Sequence, residues 1–166
     1  MITFLIGPSR AGKSTLSRAI SAQFPEIAFI DLDLRVNEME TQLATPPNDG
    51  WPGRWNRSIA IFDEAEQNHK DVVMDVGAGS LQTPEAFEYF GRCLSNLILI
   101  SAPFDAILAR HPNRKPEELL GTEFSQLHNA LHARIARRID TSELSQEEAA
   151  GVLSSFLREA YLGKLG

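Results

Sequence analysis

One segment constrains the backbone of this chain more than any other. Gly7-Pro8-Ser9-Arg10-Ala11-Gly12-Lys13-Ser14 satisfies G-x-x-x-x-G-K-[ST] at every fixed position. The apolar run Ile2–Ile6 precedes it, and Lys13–Phe24 follows with Leu16, Ile20 and Phe24 on one helical face before Pro25. Strand, glycine-bearing turn and helix in this order make a phosphate cradle. The glycines let successive N–H groups curl inward at the positive end of a helix, where an anion is stabilised. Lys13 is expected to neutralise the β- and γ-phosphates of ATP, and the Ser14 hydroxyl to hold Mg²⁺.

Further short runs rich in Ile, Leu and Val fall at Ile27–Ile30, Val72–Met74 and Leu97–Ile100. Helical patterns lie between and after them, at Asn56–His69, Thr83–Phe90 and Phe104–Arg110. Thr83 suits an N-cap and Pro84 a first helical position. Ser145-Gln146-Glu147-Glu148 reads as a capping box that opens a last helix to about Leu162. The alternation predicts an α/β fold of the P-loop NTPase type, a parallel sheet covered by helices on both faces, as a single domain over 1–166.

In such sheets ligands bind beyond the carboxyl ends of the strands, which directs attention to three acids. Asp31 and Asp33 close the second strand, and a two-residue period points them the same way. One is expected to support Mg²⁺ through water while the other takes the proton of an attacking hydroxyl. Asp75 closes the third strand as a second magnesium support. For Asp31 and Asp33 the competing reading is a helix N-cap or a loop acid. Gly77-Ala78-Gly79-Ser80 is small enough for close approach to a ligand, and reads equally as a tight strand-to-helix turn.

Two polar loops, Thr45–Gly53 and His111–Gly121, are long for so small a domain, and the second carries Arg114 and Lys115 as a candidate lid. The formal net charge of −6 argues against a nucleic-acid grip over the surface. Arg110, Arg114, Lys115, Arg134, Arg137 and Arg138 nevertheless cluster, as a local anion site or, for the last three, as a solvated helix face. Cys93 is the sole cysteine, the expectation for a reducing cytoplasmic setting. Ile2–Ile6 has neither the basic lead-in of a signal peptide nor spanning length, so no membrane role is expected. Four histidines and one cysteine show no zinc-ligand spacing.

The ensemble resembles shikimate kinase over nearly its whole length. Gly7–Thr15 corresponds to that family's GPxGAGKST loop, with Arg10 at the inner glycine. Phe29-Ile30-Asp31-Leu32-Asp33 matches its F-x-D-x-D, and Gly77-Ala78-Gly79 its triple glycine, with Ala78 in the middle. Asn113-Arg114-Lys115-Pro116 falls in the lid, where the family sets a basic residue before proline. His128-Asn129-Ala130-Leu131-His132 follows its R-N-P-L-Y, with His128 at the arginine. Asp75 is an acid where that family has none. The resemblance implies that Thr15 joins the nucleotide site, Arg110 packs against adenine and Arg114 reaches the phosphates. It also implies that Asp33 grips the acceptor hydroxyl and that Asp31 stands behind magnesium. Arg57, or Arg54 with a one-residue gap, would bind a substrate carboxylate within a substrate segment of about 34–69, beside Gly77, Ala78, Gly79 and His128.

The chain is thus read as a monomeric or weakly dimeric kinase that moves the γ-phosphate of ATP to a hydroxyl of a small molecule. A nucleotide-gated regulatory module and a nucleoside monophosphate-type kinase are the competing readings. Lys13→Ala is expected to abolish ATP turnover while the circular-dichroism melt remains cooperative. Retained turnover in the folded variant would refute the phosphate-loop assignment.

Overall fold

The computed structural model describes residues 1–45 and 47–161. Five strands, β1 (Ile2–Ile6), β2 (Ala28–Asp31), β3 (Val72–Asp75), β4 (Leu97–Ser101) and β5 (Arg137–Asp140), form one parallel sheet in the order β2-β3-β1-β4-β5. The helices are α1 (Lys13–Ser21), α2 (Leu32–Thr41), α3 (Gly50–Asn68), α4 (Pro84–Arg92), α5 (Phe104–Ala109), α6 (Pro116–Thr122), α7 (Gln126–Arg134) and α8 (Gln146–Tyr161). No described helix is long and apolar enough to cross a membrane.

The two-residue period of the strands creates two cores. Ile2, Phe4 and Ile6 of β1 join Leu97 and Leu99 of β4 on the face covered by α2, α3, α4 and α7. Leu5, Ile98 and Ile100 point to the other face, under α1, α5 and α8. Phe4 anchors the first core edge-on to Phe62 and Phe90, with ring centroids 5.2 and 5.1 Å away. Aromatic pairs in this geometry add about 0.5–1.5 kcal/mol beyond the area they bury. On the second face the Tyr161 hydroxyl lies 2.7 Å from both Thr3 Oγ1 and the Val72 carbonyl, fastening α8 across β1 and β3.

Expected signals recur in the helix caps. Thr83 Oγ1 accepts from Ala86 N, and Ser145 and Glu148 bond reciprocally as a capping box. Leu162 and Pro46 lie outside the described residues. Four expectations are corrected. Asn56–His69 begins six residues earlier than predicted, at Gly50, because Pro52 falls in the first turn, where its missing N–H costs nothing. His111–Gly121 is not all loop, since α6 occupies its second half. The first helix ends at Ser21 rather than Phe24. Arg137 and Arg138 lie on β5 rather than a helix face. This edge strand has no apolar run to announce it, and Ile139 is its one buried residue.

Helix α7 carries a buried liability. His128 is 3% exposed, its Nδ1 lies 2.9 Å from Ser125 Oγ, and Nε2 has no hydrogen-bond partner among the described residues. Nε2 of His132 is likewise buried without a partner. Burial lowers both imidazoles from 6.5 to about 4. In the unfolded chain they protonate at ordinary values, so between about pH 6.5 and pH 4 that state binds more protons than the folded one. Their contribution to stability is therefore full above the unfolded pKa and declines as pH falls through this window. The denaturation midpoint is expected to drop steeply from pH 6.5 to 4, and His128→Leu to flatten the slope. An unchanged slope in the variant would contradict the burial argument.

Candidate active site

The loop between β1 and α1 forms because two positions tolerate only glycine. Gly7 has φ +143°, and a Cβ there would stand 1.9 Å from the Ile100 carbonyl oxygen of β4. The loop therefore lies directly on the neighbouring strand. Lys13 opens α1 with 6% exposure, and its Nζ donates to the carbonyls of Gly7 and Pro8 at 3.0 and 3.1 Å. Burial lowers its pKa, opposed first by Asp75 and then by Asp33, Glu123 and Asp31. Ser14 Oγ donates to Asp75 Oδ2 at 2.5 Å. Burial raises the Asp75 pKa, while Lys13 and Ser14 pull it down.

Asp31 and Asp75 are register partners at the carboxyl ends of β2 and β3. Asp33, however, is not a strand residue. The strand ends at Asp31, whose side chain N-caps α2 by accepting from Leu34 N at 3.0 Å, and Asp33 sits in the first helical turn. Asp33 is thus helical rather than the strand residue that a two-residue period predicts, yet all three acids line one cleft of about 360 Å³ with Ser9, Lys13 and Ser14. Asp33 enters it because Gly77 stands aside. A Cβ at Gly77 would be 1.8 Å from Asp33 Oδ2. The small residues after β3 accommodate a carboxylate of this chain, and Ala78–Ser80 turn as a 3-10 helix. Ser80 Oγ donates to Asp33 Oδ1 at 3.0 Å.

Of the two candidate arginines, Arg54 reaches Asp33. Its Nη2 donates to Asp33 Oδ1 at 3.1 Å and its Nη1 to Asn37 Oδ1 at 3.0 Å, with Glu40 3.6 Å away. Arg57 is turned to Asp49 and Glu40, at 2.7 and 2.8 Å, and shares with Arg54, Asn37 and Trp51 a depression that adjoins the cleft at Gly79. On the other side of the loop, Ala11, Gly12 and Thr15 line a cavity of about 180 Å³ with Arg110 and Thr141. Arg110 donates to Thr141 Oγ1 at 3.2 Å and to the Thr141 carbonyl at 3.3 Å. One cradle therefore separates a polar, acid-lined end from a second cavity.

The shikimate kinase family model matches residues 9–158. The chain belongs to the shikimate kinase family. It is accordingly an ATP-dependent phosphotransferase that acts on a hydroxyl of a small molecule. Solved structures agree on the fold. The shikimate kinase of Aquifex aeolicus aligns at TM-score 0.70 with 23% identity, over 98% of this chain and 99% of that one. The shikimate kinase of Acinetobacter baumannii, solved with shikimate, aligns at 0.63 with 21% identity, over 99% and 95%. A gluconokinase from Sinorhizobium meliloti aligns at 0.51 with 18% identity, over 98% and 95%. No curated protein matches the sequence.

Within this family kinase, His128 does not join the acid-lined cleft. It packs edge-on to Phe87 at 4.9 Å, and burial holds it neutral. Arg134, Arg137 and Arg138 converge on no anion site either. Each donates to backbone carbonyls, of Gly91, Ser95, and His132 with Ile135 respectively. Arg114 does line the cleft, paired with Glu123 and donating to Thr122 Oγ1 at 3.0 Å. Sequence reading missed Glu123, His111, Asn37 and Thr141. Each is a lone polar residue with no spacing to mark it. Trp51 could have been found as an aromatic in a Gly/Pro-rich loop next to the candidate arginines.

Among the described residues, Arg10 is the positive-φ residue other than glycine, at φ +57°. A side chain in the left-handed region costs about 1–2 kcal/mol. Its guanidinium donates to the Arg110 carbonyl, and Arg110 Nη1 donates back to the Arg10 carbonyl at 3.0 Å. Arg10→Gly removes strain and contact together, whereas Arg10→Ala removes only the contact. The glycine variant is expected to be more stable than the alanine variant by about 1 kcal/mol in urea unfolding. Equal stabilities would show that the loop carries no strain.

Proposed function

We propose that this kinase transfers the γ-phosphate of ATP to a hydroxyl that rests against Asp33, and that its acceptor does not depend on a carboxylate. The observation that carries the first part is the position of Asp33 in the same cleft as Lys13 and Ser14, fixed by Arg54 and Ser80. A regulatory module would have no use for a braced acid at that point. Asp33 orients the acceptor oxygen and takes its proton as the new phosphate bond forms. Lys13 exchanges the Gly7 and Pro8 carbonyls for phosphate oxygens, and Arg110 with Thr141 borders the base. Residues 111–121 close over the phosphates and keep water out.

Mg²⁺ fits the residues on this reading. Ser14 and Asp75 present hard oxygen donors 2.5 Å apart, with Asp31 beside them. Among the described residues no group of three or more His, Cys, Asp or Glu makes a cage, which suits an ion carried mainly by phosphates and water. When bound, Mg²⁺ would neutralise charge on the transferring phosphate.

The acceptor reading follows from charge. Arg54 and Arg57 are both engaged by carboxylates, and the wall sets three acids, Asp33, Glu40 and Asp49, against these two cations. His128 adds no charge. A carboxylate substrate would have to strip an arginine from its partner, whereas a neutral polyol can use Asn37, Ser80 and the half-exposed face of Trp51. Lacking a free arginine fork, worth about 1.5–3 kcal/mol, the site is expected to hold shikimate roughly ten- to a hundredfold more weakly than a two-arginine site. In an ATP-consumption screen of acids, sugars and cyclitols, neutral polyols should show the higher kcat/KM. Asp33→Asn should lower kcat by about a hundredfold or more with ATP affinity nearly unchanged. Efficient shikimate turnover would overturn the acceptor class, and an unimpaired Asp33→Asn the role of Asp33.

A further inference from the structure

We infer that Glu123 is the residue by which this cradle distinguishes ATP from ADP, because its carboxylate fills the place of the terminal phosphate. The inference rests on the kinase reading above. Glu123 caps α6 and is 3% exposed. Its carboxylate accepts from the backbone N–H of Ser9 at 2.6 Å and from the Ser9 hydroxyl at 2.9 Å, and it pairs with the Arg114 guanidinium. A loop N–H, a hydroxyl and a guanidinium converging on two oxygens form the donor set that a phosphate oxygen takes. In this chain an internal anion takes it.

The place of Glu123 along the cradle says which phosphate it mimics. The cavity bordered by Gly12, Arg110 and Thr141 lies at one end. The cleft that holds Asp33 lies at the other, and Glu123 lines this second end with Ser9 and Lys13. In-line transfer requires the terminal phosphate between Lys13 and the oxygen held by Asp33. A carboxylate and a terminal phosphate therefore compete for Ser9 and Arg114, in a cleft where Asp31, Asp33 and Asp75 already act on Lys13. ATP has to expel Glu123, and this frees Arg114 to meet the phosphate. ADP is one phosphate shorter and binds with Glu123 in place. Glu123 follows α6 directly, and His111 Nε2 at the start of the same segment lies 2.8 Å from Ser9 Oγ. Expulsion of the carboxylate thus releases this segment from Ser9, so that Arg114 can close it on the phosphate.

Calorimetric titration of the full chain with Mg²⁺–AMP-PNP and with Mg²⁺–ADP tests the inference in wild type and in Glu123→Gln, which keeps the shape and removes the charge. AMP-PNP is expected to bind the variant about tenfold more tightly than wild type, with ADP changed by less than about threefold. A second measurement needs no variant. Amide exchange at residues 122–124 of the wild type, where Glu123 is anchored at the end of α6, should rise with AMP-PNP and stay unchanged with ADP. Weaker AMP-PNP binding in Glu123→Gln, equal changes for both nucleotides, or identical exchange with both would overturn the inference and leave the kinase reading standing. Failure of either nucleotide to bind wild type would overturn both.

Discussion

The site is organised around one buried cation. The Lys13 ammonium is withdrawn from water at the start of α1, and burial alone works against its charge. Asp75, Asp33, Glu123 and Asp31 offset that cost, and they arrive from β3, α2, the end of α6 and β2. The carboxyl ends of two strands, the first turn of one helix and the end of another are therefore drawn to a common point by electrostatics that hydrophobic packing does not supply. The sheet makes this convergence possible. The β2-β3-β1 order brings Asp31 and Asp75 into register beside the loop that leaves β1.

The same economy of charge runs through the arginines around the acid-lined cleft. Arg54, Arg57 and Arg114 each meet an acid of this chain. A half-buried guanidinium left unpaired would be costly, so the chain supplies counter-ions of its own. Ligand binding at such a site is an exchange of partners. The affinity for any anion is the difference between its contacts and those of the carboxylate it replaces. A family member with free arginines and one with paired arginines can thus share a fold and a phosphate loop while favouring different acceptors.

Much of the fold was legible because local rules and tertiary packing agreed. The β1 and β4 runs are buried on both faces and read as continuous apolar segments. Thr83-Pro84 and Ser145–Glu148 carry their capping chemistry in the residues themselves. The rest was illegible for identifiable reasons. The edge strand β5 needs apolar residues on one side only, and the pairing of Ile100 with Ile139 exists only once the sheet is assembled. Asp31 and Asp33 share a spacing that suits a strand, and the cap that Asp31 gives Leu34 ends the strand between them.

Gly7–Ser14 by itself determined that this chain curls a loop of N–H donors around phosphates, because the positive φ of Gly7 and Gly12 and the lysine at the head of α1 are local requirements. The apolar runs determined the layered parallel sheet for an equally local reason, since strands of this composition must be buried on both faces. Tertiary structure alone decided which arginine braces Asp33, that His128 is buried and neutral, and that Glu123 closes on Ser9 across 114 residues of sequence. These depend on which charged groups lose water together. Desolvation and ion pairing are set by the distance between side chains in the folded molecule, a quantity that their separation along the chain does not encode.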